Sequence, residues 1–231
     1  MDTVRTYGSA PYRVLVLHGG PGAPGCAAGL CRGLHEQGIS VLEHLQKGKT
    51  AAALMAEMLD ILDAHGVEKI TVAGHSYGAW LALLFAAKYP HRVEKTVIVG
   101  CGPLEETYLP QLIETRAQRK AQGLSDTDNF CALPGSSGDM LYFDEEQHIA
   151  LMAEMTELRR SGELLKTALS VPGKITAIHG VYDPHPAQAL RVLANDAPEF
   201  EMHVLERCGH DPWKERYARE AFFELLMREF A

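Results

Sequence analysis

Apolar positions along this chain change period repeatedly, and the changes mark out alternating strands and helices. Residues 13–17 (Arg-Val-Leu-Val-Leu) form a β-branched and apolar run ending in a glycine cluster, which predicts a buried strand. From Ala27 the apolar positions recur at Leu30 and Leu34, a helical spacing that Gly38 closes. Residues 39–42 predict a second strand. Thr50 caps the next predicted helix, whose stripe runs Leu54, Met58, Ile61 and Leu62 before Gly66 stops it. Residues 69–73 predict a third strand. The segment 79–87 that follows is apolar all round, so the helix it forms must be covered on most sides, and Pro90 ends it. Residues 93–99, 174–178 and 200–205 predict further strands. A helical stretch lies near 187–194, and a terminal helix carries Trp213, Tyr217, Phe222, Leu225 and Leu226 on one side.

Strands that alternate with helices imply an α/β fold, a mostly parallel sheet covered on both faces. The pattern lapses over residues 103–173, which are rich in charge and turn residues (Pro110, Pro134, Gly135, Gly138) and show no clear strand. Two helices are expected there, near 108–122 and 145–158. This stretch reads as a short helical cap inserted into a core made of residues 1–102 and 174–231.

Composition narrows the function. The 231 residues are 46% hydrophobic and 23% charged, ordinary for one globular domain. A formal charge of -8, from 22 basic against 30 acidic residues, argues against a nucleic-acid or anionic-membrane surface and leaves a small molecule or short peptide as the expected partner. Cys26, Cys31, Cys101, Cys131 and Cys208 are odd in number and lack Cys-x-x-Cys spacing, so they read as reduced thiols and no metal site is expected. With no apolar leader or membrane-length run, a cytoplasmic location is expected. Oligomeric state is not legible.

The chemistry is concentrated in four short motifs. Gly74-His75-Ser76-Tyr77-Gly78 stands directly after a predicted strand and before a predicted helix. A bare Gly-x-Ser-x-Gly arises by chance in roughly one chain in ten of this length, so the strand-turn-helix setting decides its meaning. In that setting a strained turn projects the serine Oγ above the sheet, with glycines where side chains would clash. His18-Gly19-Gly20-Pro21-Gly22 ends the first predicted strand. Its glycine richness lets a backbone N–H, with Gly20 the candidate, join that of Tyr77 in binding an oxyanion. Gly19 is an expected substrate neighbour, and His18 reads as a hydrogen bonder of the loop. The phosphate-binding glycine patterns are absent.

A serine nucleophile needs a base. Of eleven histidines, His210 in Cys208-Gly209-His210-Asp211 follows the last predicted strand, at the carboxyl edge where ligands gather. The Ser, acid, His order of such hydrolases then places the acid after strand 174–178, where Asp183 stands in His179-Gly180-Val181-Tyr182-Asp183-Pro184. Asp196 and Glu206 are weaker rivals.

With these four pieces in this order, the chain resembles an α/β-hydrolase over most of its length outside the insertion. The His-Gly-Gly-Pro-Gly piece is particularly similar to proline iminopeptidases and their relatives. The resemblance implies a serine hydrolase without a cofactor, with Ser76, His210 and Asp183 as its triad. It also locates two departures. Only about a dozen residues precede the first motif strand, so the leading β-hairpin of the family is expected to be truncated. Iminopeptidases carry a large cap whose acidic residues hold the substrate amine, and a tryptophan after the nucleophile; here the cap is short and Tyr77 stands in that place. Glu105 and Glu106 are the candidate substrate-binding acids, with Asp126, Asp128, Asp139, Asp144, Glu145 and Glu146 as further possibilities. Hydrolysis of a small carboxylic ester or amide is therefore the first expectation and an iminopeptidase-like aminopeptidase the second. A non-catalytic ligand-binding homologue is the third.

Overall fold

The computed structural model describes residues 2–124 and 139–230. Its strands are β1 (Val4–Tyr7), β2 (Val14–Leu17), β3 (Val41–His44), β4 (Ile70–His75), β5 (Val93–Val99), β6 (Lys174–Gly180) and β7 (Glu199–Leu205). They form one sheet in the order β1-β3-β2-β4-β5-β6-β7. Every neighbouring pair is parallel except β1 with β3. The helices are α1 (Ala28–Glu36), α2 (Ala51–Ala64), α3 (Tyr77–Lys88), α4 (Leu109–Ala121), α5 (Glu145–Arg160), α6 (Glu163–Leu169), α7 (Arg191–Asp196) and α8 (Arg219–Phe230).

The two-residue side-chain period of a strand sorts apolar residues between two cores. Val14 and Val16 of β2 join Leu30 and Leu34 of α1 and Phe222 and Leu226 of α8 on one face. Leu15 and Leu17 face the other way, with Leu54 and Met58 of α2 and the residues of α3. Both faces of the sheet are dry at its centre, where β2 is buried at every position, whereas the edge strands β1 and β7 are partly exposed and mix apolar with polar residues. Helix α3 is apolar all round because it is enclosed: ten of its residues are buried. Leu151 and Met155 of α5 and Leu164 and Ala168 of α6 belong to the same cluster. Each such fully buried aliphatic side chain contributes about 1.5–3 kcal/mol relative to exposure.

Several expectations need adjustment. β3 begins at Val41 rather than at residue 39, and β4 and β6 run two residues further, to His75 and Gly180. Trp213 and Tyr217 precede the terminal helix instead of lying on it. Helix α6 is an additional element within residues 103–173. One strand that the pattern did not predict, β1, precedes β2, and its Tyr7 hydroxyl donates to the buried Glu43 carboxylate at 2.7 Å. Asp126, Asp128, Cys131, Pro134, Gly135 and Gly138 lie outside the described residues.

Parallel strands end at a common edge. The carboxyl ends of β2, β4, β5, β6 and β7 release His18, Ser76, Gly100, Val181 and Glu206 there, and this edge is where the four motifs meet.

Candidate active site

The β4–α3 turn has the geometry that its sequence requires. Ser76 precedes α3 at φ 54°, ψ -115°, a conformation L residues rarely adopt, and its N–H donates to the Val99 carbonyl at 2.9 Å. A Cβ at Gly74 would collide with the Gly78 carbonyl, and one at Gly78 with the Leu17 carbonyl, so both glycines are fixed by close approach. Ser76 is half-buried, and Tyr77, as the first residue of α3, has an N–H with no carbonyl inside the helix to receive it.

The first glycine loop packs directly on this turn. A Cβ on Gly19 would lie 2.7 Å from the Cβ of Ser76 and 2.7 Å from His75 Nδ1. Gly20 follows at φ +58°. His18 is fully buried, bonded through Nδ1 to the Gly19 carbonyl at 2.9 Å, and its own carbonyl accepts from Gln46 at 3.0 Å. Burial lowers its pKa to about 4, so it is a neutral part of the loop.

Asp183 and His210 are in contact. His210 Nδ1 donates to Asp183 Oδ2 at 2.9 Å. Asp183 is buried and His210 half-buried. Burial alone would raise the carboxyl pKa, but the charge of His210 and hydrogen bonds from His185 and His210 hold it well below the usual range. Burial would likewise lower the pKa of His210, yet the Asp183 charge and bond prevail and raise it. Asp196 and Glu206, the rival acids, are exposed.

Three residues unnoticed in the sequence complete the arrangement. His75 Nε2 donates to the His210 carbonyl at 2.9 Å, tying the serine turn to the histidine loop, and the two rings lie 4.6 Å apart. Gly100, at φ +55°, leaves a gap in which a Cβ would sit 3.0 Å from both Asp183 Oδ2 and His210 Nδ1. His185 bonds Asp183 through its ring. The position of His75 inside the serine motif was the one available signal.

Among the described residues, several acidic candidates of the segment 103–173 have other partners. Glu106 pairs with Arg159 at 2.7 Å, Asp139 with Arg32 at 2.7 Å and Glu146 with Lys49 at 2.6 Å. Asp144 caps α5. Glu105 is partly exposed and Glu145 exposed. Among the described residues no helix is long and apolar enough to cross a membrane.

Residues 12–135, more than half of the chain, match the family described as alpha/beta hydrolase fold. The chain belongs to that family. It is an enzyme of the hydrolase type, similar to the 2-hydroxymuconate semialdehyde hydrolase of Pseudomonas putida, with 27% identity over 82% of this chain and 72% of the relative. It is 25% identical to the 2-hydroxy-6-oxo-6-phenylhexa-2,4-dienoate hydrolase of Burkholderia cepacia, over 93% of this chain and 86% of that one. Among solved structures, a proline iminopeptidase from Mycobacterium smegmatis superposes with a TM-score of 0.71 at 16% identity, covering 98% of this chain and 93% of that one. At that identity the likeness concerns the fold alone. The iminopeptidase is thus one structural neighbour of this α/β-hydrolase among several.

Proposed function

We propose that this α/β-hydrolase is a serine hydrolase cleaving a small carboxylic ester or amide through an acyl-enzyme intermediate. Ser76 Oγ attacks the carbonyl carbon while His210 Nε2 takes its proton. Asp183 fixes the Nδ1–H tautomer of His210 and stabilises the imidazolium. The N–H groups of Gly20 and Tyr77 bind the tetrahedral oxyanion, each contributing roughly 2.7–4 kcal/mol to transition-state stabilisation. The imidazolium then protonates the departing alcohol or amine, and water activated by the same imidazole releases the acid. Gly19, at the wall of the serine turn, borders the acyl group. The observation that carries this reading is the 2.9 Å bond from His210 to the buried Asp183, in a loop itself bonded to the residue before Ser76.

A second reading comes from the sequence relatives. A 6-oxo dienoate has no ester or amide, so a hydrolase of such a compound breaks a carbon–carbon bond beside the oxo group, again beginning at a carbonyl. An aminopeptidase has less support, because Glu106, the foremost amine-binding candidate together with Glu105, is ion-paired to Arg159.

The test is fluorophosphonate labelling and a hydrolase substrate panel that includes short-chain esters, arylamides and a 6-oxo dienoate. Ser76→Ala is expected to abolish labelling and lower turnover by several orders of magnitude with an almost unchanged melting temperature. Comparable turnover in that variant removes Ser76 from the mechanism. Turnover of the dienoate alone favours the second reading over the first.

A further inference from the structure

We infer that His185 is a positioning residue of the active site, its ring N–H holding one oxygen of Asp183 so that the other is presented to His210. This rests on the serine-hydrolase reading above and adds a member to its machinery.

The two oxygens of Asp183 are divided between two imidazoles. Oδ2 accepts from His210 Nδ1 at 2.9 Å, whereas Oδ1 accepts twice from His185, from its backbone N–H at 2.9 Å and from Nδ1 at 2.9 Å. The backbone bond is an ordinary turn closed by an aspartate side chain two residues back. The ring bond is not part of that turn. Rotation of the carboxylate about its Cβ–Cγ bond would break both bonds to Oδ1 together with the one to His210.

The segment that carries His185 is stiff. Pro184 and Pro186 flank it, which fixes φ on either side and restricts His185 to extended conformations. From below, His179 Nε2 of β6 donates to the His185 carbonyl at 2.7 Å. The side chain is buried, and its ring lies 4.8 Å from that of His210.

The proton positions follow from the acceptor. An ionised carboxylate only accepts, so Nδ1 of His185 carries the hydrogen. Burial, outweighing the help of Asp183, lowers the pKa of His185 to about 4, so the ring is neutral and Nε2 keeps a lone pair. A neutral donor on Oδ1 draws charge from the carboxylate and tempers the basicity that Asp183 lends His210. Other titratable and charged groups face this pair. His179 of β6 is 3.6 Å from Asp183 Oδ2, and Arg116 of α4 acts on both His185 and His210. His75 of β4 and Asp211 act on His210, while Cys101, Cys208 and Glu215 feel the charge of Asp183.

The experiment compares His185→Leu, which removes the donor, with His185→Asn, which returns an amide N–H near the position of Nδ1. Profiles of kcat/KM against pH are measured on the best ester of the panel. His185→Leu is expected to shift the acidic limb upward by roughly half to one pH unit and to lower kcat about tenfold. His185→Asn is expected to return both toward the wild-type values. An unmoved limb and kcat in His185→Leu overturn the inference, and so does a folded His185→Asn as impaired as the leucine variant. If His185→Leu does not fold, 15N-resolved imidazole spectra of the wild type decide. A neutral Nδ1–H tautomer at His185 supports the role, and an Nε2–H tautomer overturns it. Labelling separates the two levels. Wild type unlabelled at Ser76 sinks the hydrolase reading and this role with it, whereas labelled wild type with an unmoved limb sinks only the role of His185.

Discussion

Gly100→Ala should damage catalysis more than stability, and the two costs can be worked out separately. Gly100 lies at φ +55°, where an L residue costs about 1–2 kcal/mol. For a chain of this size each kcal/mol lowers the melting temperature by roughly 2–4 °C. The new Cβ would also stand 3.0 Å from Asp183 Oδ2 and from His210 Nδ1, the two ends of the 2.9 Å bond, and 3.2 Å from His210 Cε1. Those atoms must yield by a few tenths of an ångström, and both belong to groups that need fixed geometry. Misplacements approaching 1 Å cost about 10²-fold in rate, so a fall of roughly 10- to 100-fold in kcat/KM is expected. Gly38→Ala is the control, since Gly38 sits at φ +85° with nothing within 4 Å of the added carbon. It carries the same class of backbone strain without touching the site. Both variants are melted and assayed on one ester. Wild-type kcat/KM in Gly100→Ala, with a melting loss equal to that of Gly38→Ala, would refute the claim that this gap maintains the aspartate–histidine pair.

Three further predictions follow from the same structure. Ser76 at φ 54° stores strain of about 1–3 kcal/mol, so Ser76→Gly should melt several degrees above Ser76→Ala while both are inactive; equal melting temperatures would show an unstrained turn. Gly33→Ala would drive a carbon into the Phe223 ring between α1 and α8, at a cost of about 1–3 kcal/mol, with kcat per folded molecule unchanged; a wild-type melting temperature would count against the packing of α8 on α1. Burial holds His18, His75 and His185 at pKa about 4, about 3 and about 4 against an ordinary 6.5, so from pH 6.5 downward the unfolded chain takes up protons that the folded one refuses, and stability is lost. Glu215, raised by burial to about 7, Glu43, also raised by burial, and His210, raised beside Asp183, oppose this because the folded chain keeps protons that the unfolded one has released, while Asp183, held well below its ordinary range despite burial, adds to the loss at the acid end; melting temperatures should drop between pH 6.5 and 4, and a flat profile would refute the neutral burial of these rings.

Much of the fold was legible because its physics is local. A strand covered on both faces is apolar along its buried part: β2 is Val-Leu-Val-Leu throughout, and β4 and β5 carry the buried apolar runs 72–73 and 97–99, so their existence and parallel arrangement follow from composition along the chain. β1 escaped notice because Val-Arg-Thr-Tyr is short, only partly buried and half polar. Its place depends on Tyr7 reaching Glu43 across the sheet, a contact 36 residues away. Trp213 was assigned to the terminal helix for the opposite reason. Its burial comes from His75 and Phe222, so an apolar side chain can extend a helical stripe without being in the helix.

The candidate site divides along the same line between local and distant causes. Gly74 and Gly78 are dictated by backbone carbonyls of the turn and of β2, so the motif announces itself wherever a strand and a helix flank it. Asp183 and His210 were selected as candidates through chain order, and His210 Nδ1 lies 2.9 Å from Asp183 Oδ2. Gly100, His75 and His185 carry no such mark. Gly100 is required by two side chains, one 83 and the other 110 residues downstream, and a glycine after a strand has many commoner explanations. His185 is one histidine among eleven, distinguished only when the Pro-His-Pro segment turns its ring back onto the aspartate two residues before it. The groups proposed to bear a charge or form a covalent bond constrain their own neighbours in sequence. The groups that hold them are selected by the space left over, and that space exists only once β4, β5, β6 and the loop after β7 converge.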